Sequence, residues 1–163
     1  MPGYETDLVY RLETNLDDCP AELLGAAMER LLAAGALDVW FTPIQMKKHR
    51  PGTMLSVLAE ESTRDRLIDL LLTETTAFGV RVEKIERVKL ARRLEAVRTP
   101  FGEIAVKLGL KGGRVVQVAP EFESVRRAAG QSGQPLRTVF DAARRAWHEA
   151  QPPGKTTRRA KRL

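Results

Sequence analysis

Apolar and polar positions alternate, then recur in helical spacing, then alternate again along this chain. Residues 8–14 set Leu8, Tyr10 and Leu12 against Val9, Arg11 and Glu13, the two-residue period of a half-buried strand. Asn15-Leu16-Asp17-Asp18 breaks that strand, and Pro20 suits the first turn of a helix, with Asp18 or Cys19 as its expected cap. Between Ala21 and Ala34 the pairs Leu23/Leu24, Ala27/Met28 and Leu31/Leu32 recur every four residues and stop at Gly35, predicting an amphipathic helix. Strands are predicted over about 36–46 and 53–60, joined by a basic turn. A second helix is predicted from Ser62-Thr63 to about Thr76, with Leu67/Leu71 and Ile68/Leu72 facing inward.

Residues 80–99 read as one long β-prone stretch whose alternation changes phase between Val82 and Ile85, so a bulge or bend is expected. Pro100-Phe101-Gly102 and Lys111-Gly112-Gly113-Arg114 turn the chain twice more, giving a meander. Two helices follow Pro120, the longer with Leu136, Val139, Phe140, Ala143 and Trp147 on one face. The expected class is α+β. A ferredoxin-like β-α-β-β-α-β sandwich over about 8–85 is extended by a β-meander and a C-terminal helical pair over about 86–150.

Composition narrows the function classes. No run approaches the roughly 18 apolar residues of a membrane span. The start, MPGYETD, lacks the basic and apolar regions of a signal peptide, and a single cysteine, Cys19, excludes an internal disulfide. A cytoplasmic protein is the expectation. The net charge of +6 is mostly the tail QPPGKTTRRAKRL, which holds five cations and no acid. Without them 22 basic residues face 21 acidic ones. Residues 151–163 therefore read as a basic disordered tail, and the body as nearly neutral.

Four constellations carry candidate chemistry. Glu13-Thr14-Asn15-Leu16-Asp17-Asp18 gathers three carboxylates and an amide at a strand end, oxygen ligands suited to Mg²⁺ or Mn²⁺, or alternatively a helix cap and turn. Lys47, Lys48 and Arg50, before Pro51-Gly52, form a cationic turn suited to phosphate, or a solvated basic loop. Glu74-Thr75-Thr76-Ala77-Phe78-Gly79-Val80-Arg81 sets hydroxyls and an arginine around a glycine, suited to a phosphate or a base, or to a helix end with Gly79 left-handed. Arg92-Arg93, with Lys89 and Arg98, reads as a charged edge strand. The first two clusters are expected at opposite ends of the sheet, meeting only across a subunit boundary if at all.

No Walker or Rossmann glycine signature is present, and Cys19, His49 and His148 lack the spacing of a soft-metal site. The sequence also lacks a Ser-His-Asp or Cys-His arrangement.

Six stretches in order carry a family resemblance. They are Glu13–Asp18 with Glu22, Gly35–Val39, Thr42–Gly52, Glu74–Arg81, Thr99–Lys107 and Pro120–Glu123. Over about 8–150 the chain resembles the C-terminal domain of the LarC-type nickel insertion protein of lactate racemase maturation. The resemblance implies a CTP-dependent nickel insertase, or chelatase, of the lyase class. It implies Ni²⁺ placed into pyridinium-3,5-bisthiocarboxylic acid mononucleotide, forming the nickel-pincer cofactor. It further implies CTP bound with Mn²⁺ or Mg²⁺, a homo-oligomer, and an N-terminal domain or separate chain as partner. Carried over inside the matching motifs, Lys47, Lys48, Arg50 and Arg81 are the expected phosphate ligands, and Asp17 and Asp18 the metal ligands. Two other classes stay open: a non-catalytic oligomeric nucleotide-binding regulatory module, and RNA binding through the basic tail.

Overall fold

The computed structural model describes residues 2–150, so the basic tail at 151–163 lies outside the described residues. The described residues fold as two compact units, residues 6–87 and residues 88–150 with residues 2–5.

In the unit of residues 6–87, a sheet of order β2-β3-β1-β4 contains β1 (Glu5–Leu16), β2 (Asp38–Gln45), β3 (Pro51–Ala59) and β4 (Arg81–Lys89). Helices α1 (Ala21–Ala33) and α2 (Arg64–Glu74) complete the β-α-β-β-α-β order. That strand order is the one a ferredoxin-like sandwich requires. Strand alternation selects the core. Tyr10, Leu12 and Leu16 of β1 and Leu55, Val57 and Ala59 of β3 pack with Leu31 of α1 and with Leu67 and Leu71 of α2. The opposite face of β1 carries Arg11, Glu13 and Asn15. Gly35 ends α1 at φ 97, where a side chain would be strained, as the sequence predicts for a helix stop.

The unit of residues 88–150 contains β5 (Ala91–Thr99), β6 (Gly102–Lys111) and β7 (Arg114–Pro120), an antiparallel meander. Helices α3 (Phe122–Ser132) and α4 (Leu136–Glu149) follow. Val97, Ile104, Val106 and Leu108 of the sheet pack with Val125, Val139, Ala143 and Trp147 of the helices. The Trp147 Nε1–H finds Glu95 Oε2 at 3.0 Å, satisfying the polar edge of a buried ring.

Three local expectations are corrected. The stretch 80–99 is two strands, not one bent strand: it breaks at Leu90, and β4 and β5 belong to different sheets. A phase change marks where the inward face switches; it cannot say that the strand also changes its sheet. Neither Asp18 nor Cys19 caps α1, whose N-cap is Pro20 with no side-chain cap bond. Leu136 of α4 remains exposed, while Val139, Ala143 and Trp147 on the same predicted face are buried. Among the described residues no helix is long and apolar enough to cross a membrane.

Candidate functional site: a polar end of the four-stranded sheet

The expectation that the acidic cluster and the cationic turn lie at opposite ends of the sheet is wrong. Leu16 at the end of β1 pairs with Thr53 at the start of β3, and Gln45 at the end of β2 pairs with Pro51. The end of β1 and the β2–β3 turn therefore share one end. The reason is directional: α1 carries the chain back before β2 begins, so β1 and β2 run the same way and stop together.

Side chains close the gap. Arg50 Nη1 donates to Asp17 Oδ2 at 3.2 Å, across 33 residues of sequence. The third segment, between α2 and β4, arrives at the same place. Thr76 Oγ1 donates to Asp18 Oδ1 at 2.5 Å, and Arg81 Nη2 donates to Asn15 Oδ1 at 2.8 Å. Beneath them the buried Thr14 hydroxyl donates to the Gly79 carbonyl at 2.9 Å. Two segments distant in sequence thus converge on a third, the run Thr14 to Asp18.

Each segment has a local reason for its shape. Between β2 and β3 the chain makes a single 3₁₀-like turn, Lys47–His49, closed by Met46 N–H on the Arg50 carbonyl at 2.8 Å. Lys48 and His49 both adopt the left-handed conformation, with φ 60 and 59. Two successive non-glycine residues there are uncommon and disfavoured by sterics. Lys47, Lys48, His49 and Arg50 are all exposed. Gly79 is not among the left-handed glycines, and α2 ends instead at Thr75 in an extended conformation. Thr75 Oγ1 donates to the Leu71 carbonyl at 2.6 Å and accepts from Ala77 N–H at 3.1 Å, satisfying the helix end.

On the helix-free face of the sheet, the charges alternate in sign. Glu13 lies 3.3 Å from Arg11 and 3.6 Å from Arg81, while Arg11 reaches Glu83 at 2.5 Å. The hydrogen bond to Glu83, then the charges of Glu13 and Glu83, hold the Arg11 guanidinium above its ordinary pKa. The fully buried Ser56 hydroxyl faces Glu13 Oε1 at 3.5 Å. The Arg50–Asp17 pair is as open to water as these. Its arginine side chain is 56% exposed, so the pair contributes at most about 1 kcal/mol to folding. An incoming phosphate can therefore take over that guanidinium at little cost to the fold.

Asp17 and Asp18 stand side by side, but each already has a protein partner. Among the described residues no group of three or more His, Cys, Asp or Glu is placed to hold a metal. Arg93 pairs with Glu95 at 2.6 Å in the unit of residues 88–150. Of the residues bonded here, Thr14 has no role in the sequence reading, while the Asn15 amide and the Thr76 hydroxyl stand among its candidate ligands but outside the set Lys47, Lys48, Arg50, Arg81, Asp17 and Asp18. All three lie inside the motifs, but spacing gives no sign of which partner each side chain meets.

Replacing Thr14 with valine keeps its shape and removes the bond to Gly79. The expected loss is about 1 kcal/mol, a fall of a few degrees in Tm. Hydrogen exchange should become faster across residues 75–80 and stay unchanged in α1. An unchanged 75–80 segment would show that Thr14 does not tether it.

Fold and site together define a ferredoxin-like α+β protein with a cation-bearing polar end. More specifically, the chain belongs to the nickel insertion protein family, whose model matches residues 1–140. The pyridinium-3,5-bisthiocarboxylic acid mononucleotide nickel insertion protein of Thermotoga sp. (strain RQ2) is 44% identical over 131 residues, 80% of this chain and 33% of that one. A relative in Pelobacter propionicus (strain DSM 2379 / NBRC 103807 / OttBd1) is 50% identical over 138 residues, 85% of this chain and 35% of its own. The chain thus spans about a third of the length of the curated relatives it matches. Among solved structures, it is similar to the C-terminal domain of a cyclometallase involved in the synthesis of the NPN cofactor of lactate racemase, in apo form. That likeness has a TM-score of 0.82 and 42% identity, and covers 88% of this chain and 99% of that one. A protein from Methanopyrus kandleri AV19 is similar at TM-score 0.66 and 26% identity, over 90% of this chain and 92% of that one.

Proposed function

We propose that the polar end of the four-stranded sheet binds CTP together with a divalent cation, Mn²⁺ or Mg²⁺. In this reading the domain serves a nickel insertase that places Ni²⁺ into pyridinium-3,5-bisthiocarboxylic acid mononucleotide. The observation that carries the reading is the convergence of Lys47, Lys48 and Arg50, Arg81, and the Asp17-Asp18 pair on one sheet end. Cations at that end suit a polyphosphate, with Arg as a fork and Lys as a point charge.

Two adjacent carboxylates are too few to cage an ion alone, yet they suit one whose remaining ligands are phosphate oxygens and water. Asp17 and Asp18 would hold such an ion, which when bound would neutralise phosphate charge. Nickel is cargo in this scheme. The described residues offer it no cluster of donors, which supports a division of labour with the rest of a longer insertase, on this chain or another. Assembly into a homo-oligomer belongs to the same proposal.

Isothermal titration with CTP, with and without Mn²⁺, and with ATP, GTP and UTP beside it, tests this reading. Metal-dependent binding that favours CTP is expected. Equal affinity for all four nucleotides would reduce the site to a general polyphosphate cradle, and no heat with any of them would overturn the proposal.

A further inference from the structure

We infer that Phe78 is the platform on which the base of the bound nucleotide stacks. The inference rests on the nucleotide reading of this site and deepens it.

Phe78 is completely exposed, at 104% of the reference area, more than any other large hydrophobic residue described. An aromatic ring offers one of the largest burial gains of any side chain, so leaving all of it in water is unfavourable. The backbone on both sides of the ring is tied down. Two residues before it, Thr76 holds Asp18 at 2.5 Å; directly after it, the Gly79 carbonyl accepts from the buried Thr14 at 2.9 Å. Further along, Arg81 holds Asn15 at 2.8 Å. The ring is presented by a fixed segment.

Those ties also fix where it is presented. Asp18, the partner of Thr76, follows Asp17, the partner of Arg50. The phenyl ring and the cationic turn therefore belong to the same sheet end. The flanking residues are Thr75, Thr76, Ala77 and Gly79, small or hydroxyl-bearing rather than bulky and apolar. A contact with a second copy of the chain requires a contiguous patch, about 800 Å² on each partner in a stable interface. A fully exposed ring, flanked in sequence by small and hydroxyl-bearing residues at the sheet end that carries the cations, instead suits a ligand with one flat apolar face, polar edges and a phosphate tail. Stacking on such a ring accepts any base, because every base has a π face.

The test compares CTP with inorganic triphosphate, which has no base. With Mn²⁺ present throughout, both are titrated calorimetrically into the wild type, Phe78→Ala, Phe78→Trp and Lys48→Asn, the last keeping the left-handed backbone of the turn, and each variant is sized by sedimentation. Phe78→Ala is expected to weaken CTP about tenfold or more and to leave triphosphate unchanged. Phe78→Trp should retain CTP, and Lys48→Asn should weaken both ligands. If Phe78→Ala binds CTP like the wild type while Lys48→Asn does not, the platform is wrong and the phosphate site stands. If Lys48→Asn alters neither ligand, or the wild type binds no CTP, the nucleotide reading fails and the inference with it. A change of oligomeric state in Phe78→Ala would assign the ring to a contact between copies and overturn the proposal.

Discussion

Gly52→Ala is expected to lower the unfolding free energy by about 1–3 kcal/mol and to abolish binding at the polar end of the sheet. Gly52 pairs with Ile44 where β3 leaves the cationic turn. A Cβ there would lie 2.7 Å from Met46 Sδ and 2.9 Å from the Leu16 carbonyl oxygen. The thioether can swing away. The carbonyl cannot, because Leu16 is held in register with Thr53. Relief must therefore come from moving the end of β1 and the turn apart, and that movement separates Asp17 from Arg50. Urea unfolding should show a lower midpoint with an unchanged slope, the signature of altered stability without altered compactness. Gly25→Ala is the control. Gly25 lies inside α1 with nothing within 4 Å of the added carbon, so alanine should stabilise by about 0.5–1 kcal/mol. Opposite signs for the two substitutions would tie the damage at Gly52 to close approach rather than to the loss of a glycine.

The order of elements in the ferredoxin-like half was legible because its buried positions are apolar at the right period. Leu31, Leu67 and Leu71 are fully or almost fully buried, and each stands in a four-residue pair that the sequence displays. Helix ends were less legible. Asp18 looks like a cap, and only the fold shows that Thr76, 58 residues later, takes its carboxylate instead. The shared end of β1 and β2 could have been read by following chain direction through α1. Hydrophobic pattern carries no direction, so the two clusters were misplaced. The break at Leu90 is a different case. Strands β4 and β5 have similar alternating composition, and which sheet a strand joins depends on pairing with partners far away in sequence. The full exposure of Phe78 has no signal in the hydrophobic pattern; it follows from where Thr14 and Asp18 hold its neighbours.

Removing the charges of the cationic turn should have the largest effect on binding and almost none on folding. Lys47, Lys48 and Arg50 are exposed, and of the three only Arg50 takes part in a described ion pair, that with Asp17. Hydrogen bonds to charged groups contribute about 1.5–3 kcal/mol each, so each cation that meets phosphate is worth roughly 10- to 100-fold in affinity. The triple variant Lys47→Ala/Lys48→Asn/Arg50→Ala should therefore bind CTP at least about a thousandfold more weakly, while its unfolding free energy falls by no more than the roughly 1 kcal/mol of the lost Arg50–Asp17 pair. Asparagine is chosen at position 48 because it tolerates the left-handed backbone that Lys48 adopts, so the loop keeps its path. Arg50→Ala alone should be worse than Lys47→Ala. It removes a cation and also leaves the Asp17 carboxylate uncompensated, 82% of its side chain shielded from water, beside the incoming phosphates. Adding Asp17→Asn to Arg50→Ala, with Mn²⁺ present, separates the two effects. Partial recovery of CTP binding in the double variant would show that the uncompensated Asp17 carboxylate repels phosphate more than it helps to hold the cation. If the triple variant binds CTP as the wild type does, phosphate is held elsewhere, and the convergence of the three segments serves the fold alone.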